Sequence, residues 1–298
     1  MTSELVHHLN ILECFQAGIT LTEYIYPSSQ DNHKPQILNM DYLPVTNKTT
    51  GEPESLKNKA LETGAAAVQN FEPVQRICAH LNAFHAYADD LDRAPVEANH
   101  YCAHLNNEVR QCILYDSPKQ PARIIGIEYM ITPGLYSTLD ETEQKLWHSH
   151  VFEVKSGMLI MPKPSVVPDA AWELAENREM EEVVHLYGKV YHLWQTDRGD
   201  TLPLGEPKLM TSYTEAQQFP GGFEKVIGER DARFGSDWRR KREVRSHIEE
   251  PQIHENADWV WKGKKADEGE MIEKAKEVTA ERKEKDPADT HVGVIGGV

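Results

Sequence analysis

The apolar positions change period along the chain, and the changes mark out the elements. Val74, Ile77, Cys78 and Leu81, behind Pro73, recur at helical spacing. Near Asn82 the period shortens to alternation, so residues 83–87 read as a strand, closed by Asp89-Asp90-Leu91-Asp92. Residues 97–116 admit a strand pair turning at Asn106-Asn107, or a helix opened by Pro95 and ended there; the strand pair fits better. Residues 123–131, rich in β-branched side chains, are the clearest strand. A short helix is predicted from Thr138 to about Trp147, a hairpin over 152–161 turning at Ser156-Gly157, a helix over 169–187 and a strand over 189–195. Upstream, 26–35 and 46–53 are loop-like and 54–70 suits an Ala-rich helix interrupted by Gly64. Neighbouring hairpins imply an α+β fold, with an antiparallel or mixed sheet and flanking helices.

Three regions follow: an N-terminal extension, 1–71; a core domain, 72–217; and a charged C-terminal extension, 218–298, partly helical or disordered. Arg239-Arg240-Lys241-Arg242 and the Glu/Lys-rich run 262–285 read as solvated helix or disorder, while Trp259 and Trp261 suggest that part of the tail docks back onto the core. The net charge of −16 disfavours nucleic acid, whose phosphates need a cationic surface. No stretch of ~20 apolar residues offers a membrane-spanning helix. The N-terminus lacks the basic-then-apolar pattern of a signal peptide. Cys14, Cys78, Cys102 and Cys112 form no CxxC pair and are expected as small buried thiols, which fits a cytoplasmic protein.

The densest chemistry lies at Trp147-His148-Ser149-His150-Val151-Phe152-Glu153-Val154-Lys155-Ser156-Gly157. On an extended segment His148 and His150 share a face. Two imidazoles and a carboxylate can hold a divalent metal ion; the alternative is a hydrogen-bonded polar cluster. Glu153 and Lys155 are the candidate catalytic acid–base groups, although a strand lysine facing solvent is the plainer reading of Lys155. His100 and His104 share a face with Cys102 as a strand, or with Glu97 as a helix. His80, His85 and His192 can join a cluster only if the fold gathers them. Nucleotide loops, a G-x-S-x-G elbow and an H-E-x-x-H helix are all missing.

Several separate segments, in order, carry a family likeness: Ala79-His80-Leu81-Asn82-Ala83-Phe84-His85, Glu97-Ala98-Asn99-His100-Tyr101-Cys102, Asn107-Glu108-Val109-Arg110-Gln111-Cys112, Gly126-Ile127-Glu128-Tyr129, Leu146-Trp147-His148-Ser149-His150, Glu153-Val154-Lys155-Ser156-Gly157 and Leu202-Pro203-Leu204-Gly205-Glu206-Pro207. Together they resemble the oil body-associated proteins of plants. The resemblance covers roughly the middle half of the chain. It implies an association with lipid droplets or lipid metabolism, and a lipid-droplet surface or a small lipid-derived molecule as partner. It also singles out His85, His100, His148 and His150, the metal-ligand candidates, by matching family histidines. Where plant members have a second histidine beside His100, this chain has Asn99. A structural coat has little use for so many buried imidazoles, since unpaired polar groups are costly to bury. A metal-dependent or acid–base enzyme acting on a small or lipid-derived substrate is therefore the alternative function.

Overall fold

The computed structural model describes residues 49–267, which fall in a unit spanning Tyr42–Val298; a second unit, Met1–Asp41, lies outside the described residues. So do Cys14, the loop-like run 26–35 and the charged run beyond residue 267.

Seven strands are described: β1 (Ala79–Tyr87), β2 (Val96–His104), β3 (Val109–Tyr115), β4 (Ile124–Ile131), β5 (His148–Ser149), β6 (Tyr187–His192) and β7 (Lys208–Thr211). All pairings are antiparallel. The order β4-β3-β2-β1-β7-β6 closes on itself through a β4–β6 pairing, so six strands form a barrel. Closure removes the open edges of the sheet. The short β5 pairs with the first residues of β6, ahead of the stretch that pairs with β7.

Alternation along each strand sets what fills the barrel. In β3, Arg110, Cys112 and Leu114 are buried and the residues between them are not. Directly paired residues share a face. One level of the interior is therefore Leu81, His100, Leu114, Gly126 and His192, in register across five strands. The next level holds Cys102, Cys112, Glu128, Val190 and Met210. Polar groups thus share the interior with the main apolar cluster, which includes Leu81, Tyr87, Leu114, Met130 and Val190.

Eight α-helices have bounded spans: α1 (Leu56–Val68), α2 (Glu72–Gln75), α3 (Pro133–Tyr136), α4 (Glu141–Gln144), α5 (Val151–Ser156), α6 (Asp169–Val183), α7 (Phe223–Phe234) and α8 (Trp238–Val244). Ser55 caps α1 by accepting from Asn58 N, and Asp140 caps α4 by accepting from Glu143 N. Helix α6 packs Met180 and Val183 onto the barrel, and its Glu179 and Glu182 accept from Arg110. Behind the barrel, Phe84, Tyr213, Phe219, Phe223, Trp238 and Trp261 form a second apolar cluster, so the tryptophan-bearing segment past residue 217 does dock on the core.

The strand pair with its turn at Asn106-Asn107, the strand at 124–131 and the helix at 56–68 match expectation. Three local readings do not. The helix expected through Leu81 ends at Gln75, because Leu81 alternates with Ala83 and His85 into the barrel and β2 supplies strand partners. No hairpin forms at 152–161: residues 151–156 are α5, ended by Gly157 at φ +82°. A Cβ on Gly157 would collide with the Trp238 carbonyl, so packing as well as backbone angle demands glycine. The cysteines are not all thiols: Cys102 and Cys112 face each other across β2 and β3 and form a disulfide, while Cys78 is free and exposed. A bond between paired strands leaves no CxxC spacing to read.

Candidate metal centre

The barrel brings five imidazoles to one carboxylate. Glu128 projects inward from β4, His85 from β1, His100 from β2 and His192 from β6; His148 comes from β5 and His150 from the start of α5. All six residues are at most 2% exposed. The extended run predicted to aim His148 and His150 together stops at Ser149. His150 (φ −96°, ψ 5°) turns the chain into α5, yet both rings still reach Glu128, with centroids 5.1 Å apart.

The distances define the centre. His100 Nε2 lies 3.0 Å from Glu128 Oε2; His148 Nε2 and His150 Nε2 lie 3.3 and 3.6 Å from Glu128 Oε1. His85 Nε2 is 3.3 Å from His100 Nε2, and His85 Nδ1 is 3.0 Å from His192 Nε2. All four expected metal ligands therefore converge. Of the other conditional residues, His192 joins them through His85. His80 instead bonds Asn99 Oδ1 and stacks on Tyr101, and His104 is exposed at the end of β2.

Sequence reasoning missed Glu128, the hub, as a ligand. A trace was present: it is the lone carboxylate of the clearest strand, in phase with inward-facing Gly126 and Met130. Glu153 is buried behind His150 and accepts a hydrogen bond from Ser212 Oγ. Lys155 lies away from the cluster, its ammonium donating to the carbonyls of Arg245, Ser246 and Ile248.

Electrostatics show what the pocket wants. Burial raises the Glu128 carboxyl, but hydrogen bonds from His100, His148 and His150 outweigh it and hold Glu128 well below the usual carboxylate range. Burial pulls His150 down, yet Glu128 and Glu153 together lift it to about 9. Burial, aided by the neighbouring His100, presses His192 to about 3 and His85 well below the ordinary imidazole value. His150 Nδ1 is 2.8 Å from the Leu186 carbonyl and must donate to it. Its Nε2 then faces a carboxylate oxygen, and a cation has to stand between two such acceptors: either a proton or a metal ion.

The residues present fit a metal ion. Glu128 Oε1 and His148 Nε2 are buried 3.3 Å apart without a well-aligned hydrogen bond, and both border Gly188. A Cβ there would sit 2.7 Å from His148 Nε2 and 2.8 Å from His150 Cε1, and closer still to Glu128 Oε1. Glycine keeps that space open. Imidazole and carboxylate together suit first-row divalent ions.

Residues 71–249 match the family model described as "Protein of unknown function (DUF1264)". The chain is 43% identical to oil body-associated protein 1B of Arabidopsis thaliana, and 42% identical to oil body-associated protein 1A of Zea mays; each match covers 72% of this chain and 86% of the relative. It is 38% identical to oil body-associated protein 2A of Zea mays, over 67% of this chain and 76% of the relative. No solved structure matches the chain. The barrel that carries Glu128 and its histidines lies within the matched span, and the chain belongs to the oil body-associated protein family.

Proposed function

We propose that this protein works at the surface of lipid bodies and that its barrel binds a divalent metal ion through Glu128, His148 and His150, with His100 and His85 on the opposite side of the carboxylate. One observation carries the metal reading: Glu128 Oε1, His148 Nε2 and His150 Nε2 are buried around the same glycine-kept space, with the two nitrogens 3.3 and 3.6 Å from the oxygen and neither contact a well-aligned hydrogen bond. An unpaired buried polar atom costs about 1–3 kcal/mol, and a bound ion would satisfy these atoms together. The enclosed position suits an ion held for long periods, with access to the ligands requiring the chain to open.

The lipid-body part is supported by the names of the relatives and by one surface. No described helix is long and apolar enough to cross a membrane. Helix α1 buries none of its side chains, and Leu56, Leu61 and Val68, followed by Phe71 and Val74, are all at least 41% exposed. That run is the face we assign to a lipid monolayer.

Elemental analysis of purified, tag-free protein tests the metal. At least one equivalent of a transition metal per chain is expected, sharply reduced in His148→Ala; less than about a tenth of an equivalent in both proteins removes the reading. Imaging a labelled copy in lipid-loaded cells tests the location: rims around droplets support it, and a uniform signal that never rims them removes it.

A further inference from the structure

The donors around Glu128 do not form a single set. Among the described residues they fall into two triads, His85/His100/Glu128 and Glu128/His148/His150; within each, the ligand atoms lie within 4.8 Å of one another. Only Glu128 belongs to both, and its oxygens are divided between them. Oε2 lies nearest His100 Nε2, and Oε1 nearest His148 Nε2 and His150 Nε2. Each triad is two imidazoles and one carboxylate oxygen, a donor set that leaves positions open on a first-row ion.

We propose that the barrel holds two divalent cations bridged by Glu128, one oxygen to each ion. This rests on the metal reading above and extends it from one ion to a pair. A carboxylate presenting opposite oxygens to separate histidine pairs is the arrangement of two-metal sites, where the ions stand roughly 3.5–4 Å apart.

The second triad carries its own support. His85 Nε2 and His100 Nε2 face each other at 3.3 Å, beside Glu128 Oε2. A cation beside both nitrogens would take both lone pairs. His192 decides which nitrogen of His85 is free. A metal on His85 Nε2 needs the ring proton on Nδ1, and His192 Nε2, 3.0 Å from that nitrogen, is placed to accept it. His192 is thus a positioning residue for the second ion. Imidazole donors favour Zn²⁺, Fe²⁺, Ni²⁺ or Cu²⁺ over Ca²⁺ and Mg²⁺, and the shared carboxylate also suits Mn²⁺.

The experiment uses the full, tag-free chain, stripped with chelator, reloaded with Zn²⁺ and desalted, with metal counted per chain. About two equivalents are expected. The double variants His85→Ala/His100→Ala and His148→Ala/His150→Ala should each keep one, and Glu128→Ala should lose both. His192→Ala should weaken the second equivalent and spare the first, a split that general loss of structure would not produce. Circular dichroism reports whether each variant folds. Should a double variant not fold, wild-type protein loaded with Mn²⁺ decides: an exchange-coupled paramagnetic resonance spectrum supports the bridge, and two uncoupled ions overturn it. One equivalent in wild type, lost only with His148 and His150, overturns the pair but leaves the single-ion reading standing. No metal at all removes both.

Discussion

Two buried polar regions of this molecule follow opposite rules. At the seam between the barrel and the C-terminal helices, Arg230 and Arg245 are fully buried. Arg230 pairs with Asp231 and donates to Asn82 Oδ1 and the Met158 carbonyl; Arg245 pairs with Glu176 and donates to the carbonyls of Val154 and Leu159. Each cation there has its own anion and a set of carbonyls. Inside the barrel, one carboxylate faces three imidazoles with two more behind them, and several ring nitrogens have no hydrogen-bond partner. The seam also leaves Arg230 Nη2, Arg245 Nε and Arg245 Nη2 without a hydrogen bond, but each guanidinium there has a carboxylate beside it and no gap next to it, and that pairing holds the fold together. A region that leaves polar atoms idle around a small gap, and keeps a glycine to preserve it, is prepared for a ligand.

The largest expected effect lies at the seam. Arg230→Met strands the buried Asp231 and removes the donors to Asn82 and Met158, so it should cost about 3–5 kcal/mol in denaturant unfolding, with or without chelator. A smaller loss would mean the seam is no more committed than the barrel. The barrel should respond the other way. A chelator should lower wild-type stability by an amount set by metal linkage, about 2.7 kcal/mol where free metal had stood at a hundred times its dissociation constant. The same chelator should leave Glu128→Gln unmoved, because that variant has no ion to lose. Equal chelator sensitivity in the two proteins would break the contrast.

Gly188→Ala sharpens it further. The new methyl intrudes on Glu128 Oε1, His148 Nε2 and His150, so metal on that side should vanish while overpacking costs about 1–3 kcal/mol. Full metal retention would show that the gap is not where the ion sits. Lower pH should weaken metal uptake throughout, since imidazole binds metal only when deprotonated; titration at two pH values reads this directly. The smallest effect on folding belongs to Leu61→Glu in α1, within about 0.5 kcal/mol because the side chain is exposed, yet it should reduce droplet rimming in cells. Unchanged rimming would free α1 from the role assigned to it.

The four histidines singled out in the sequence meet, but the carboxylate that unites them was not among the chosen ligands. Attention fell on Glu153 because it stands three residues from His150. Glu128 lies 20 positions before His148 and is brought back only by the β4–β6 pairing that closes the barrel. The inward phase of Glu128 was nonetheless legible, since a lone charge in an apolar strand needs a buried partner. Lys155 misled for the related reason that nearness along the chain is not nearness in space: its partners are carbonyls about 90 residues away.

What the chain determined on its own was local: where the main strands run, which of their side chains share a face, the family, and the set of histidines worth watching. Alternation is a property of neighbouring residues, so it survives without a fold. What only the tertiary structure decided was registration: that β6 lies against β4, that β5 places His148 beside Gly188, that Cys102 meets Cys112, and that residues 151–156 coil rather than turn. Apart from the Cys102–Cys112 bond, which spans one turn, those outcomes depend on contacts between segments tens of residues apart, whose energies exceed local preference and leave no mark in any short window of sequence.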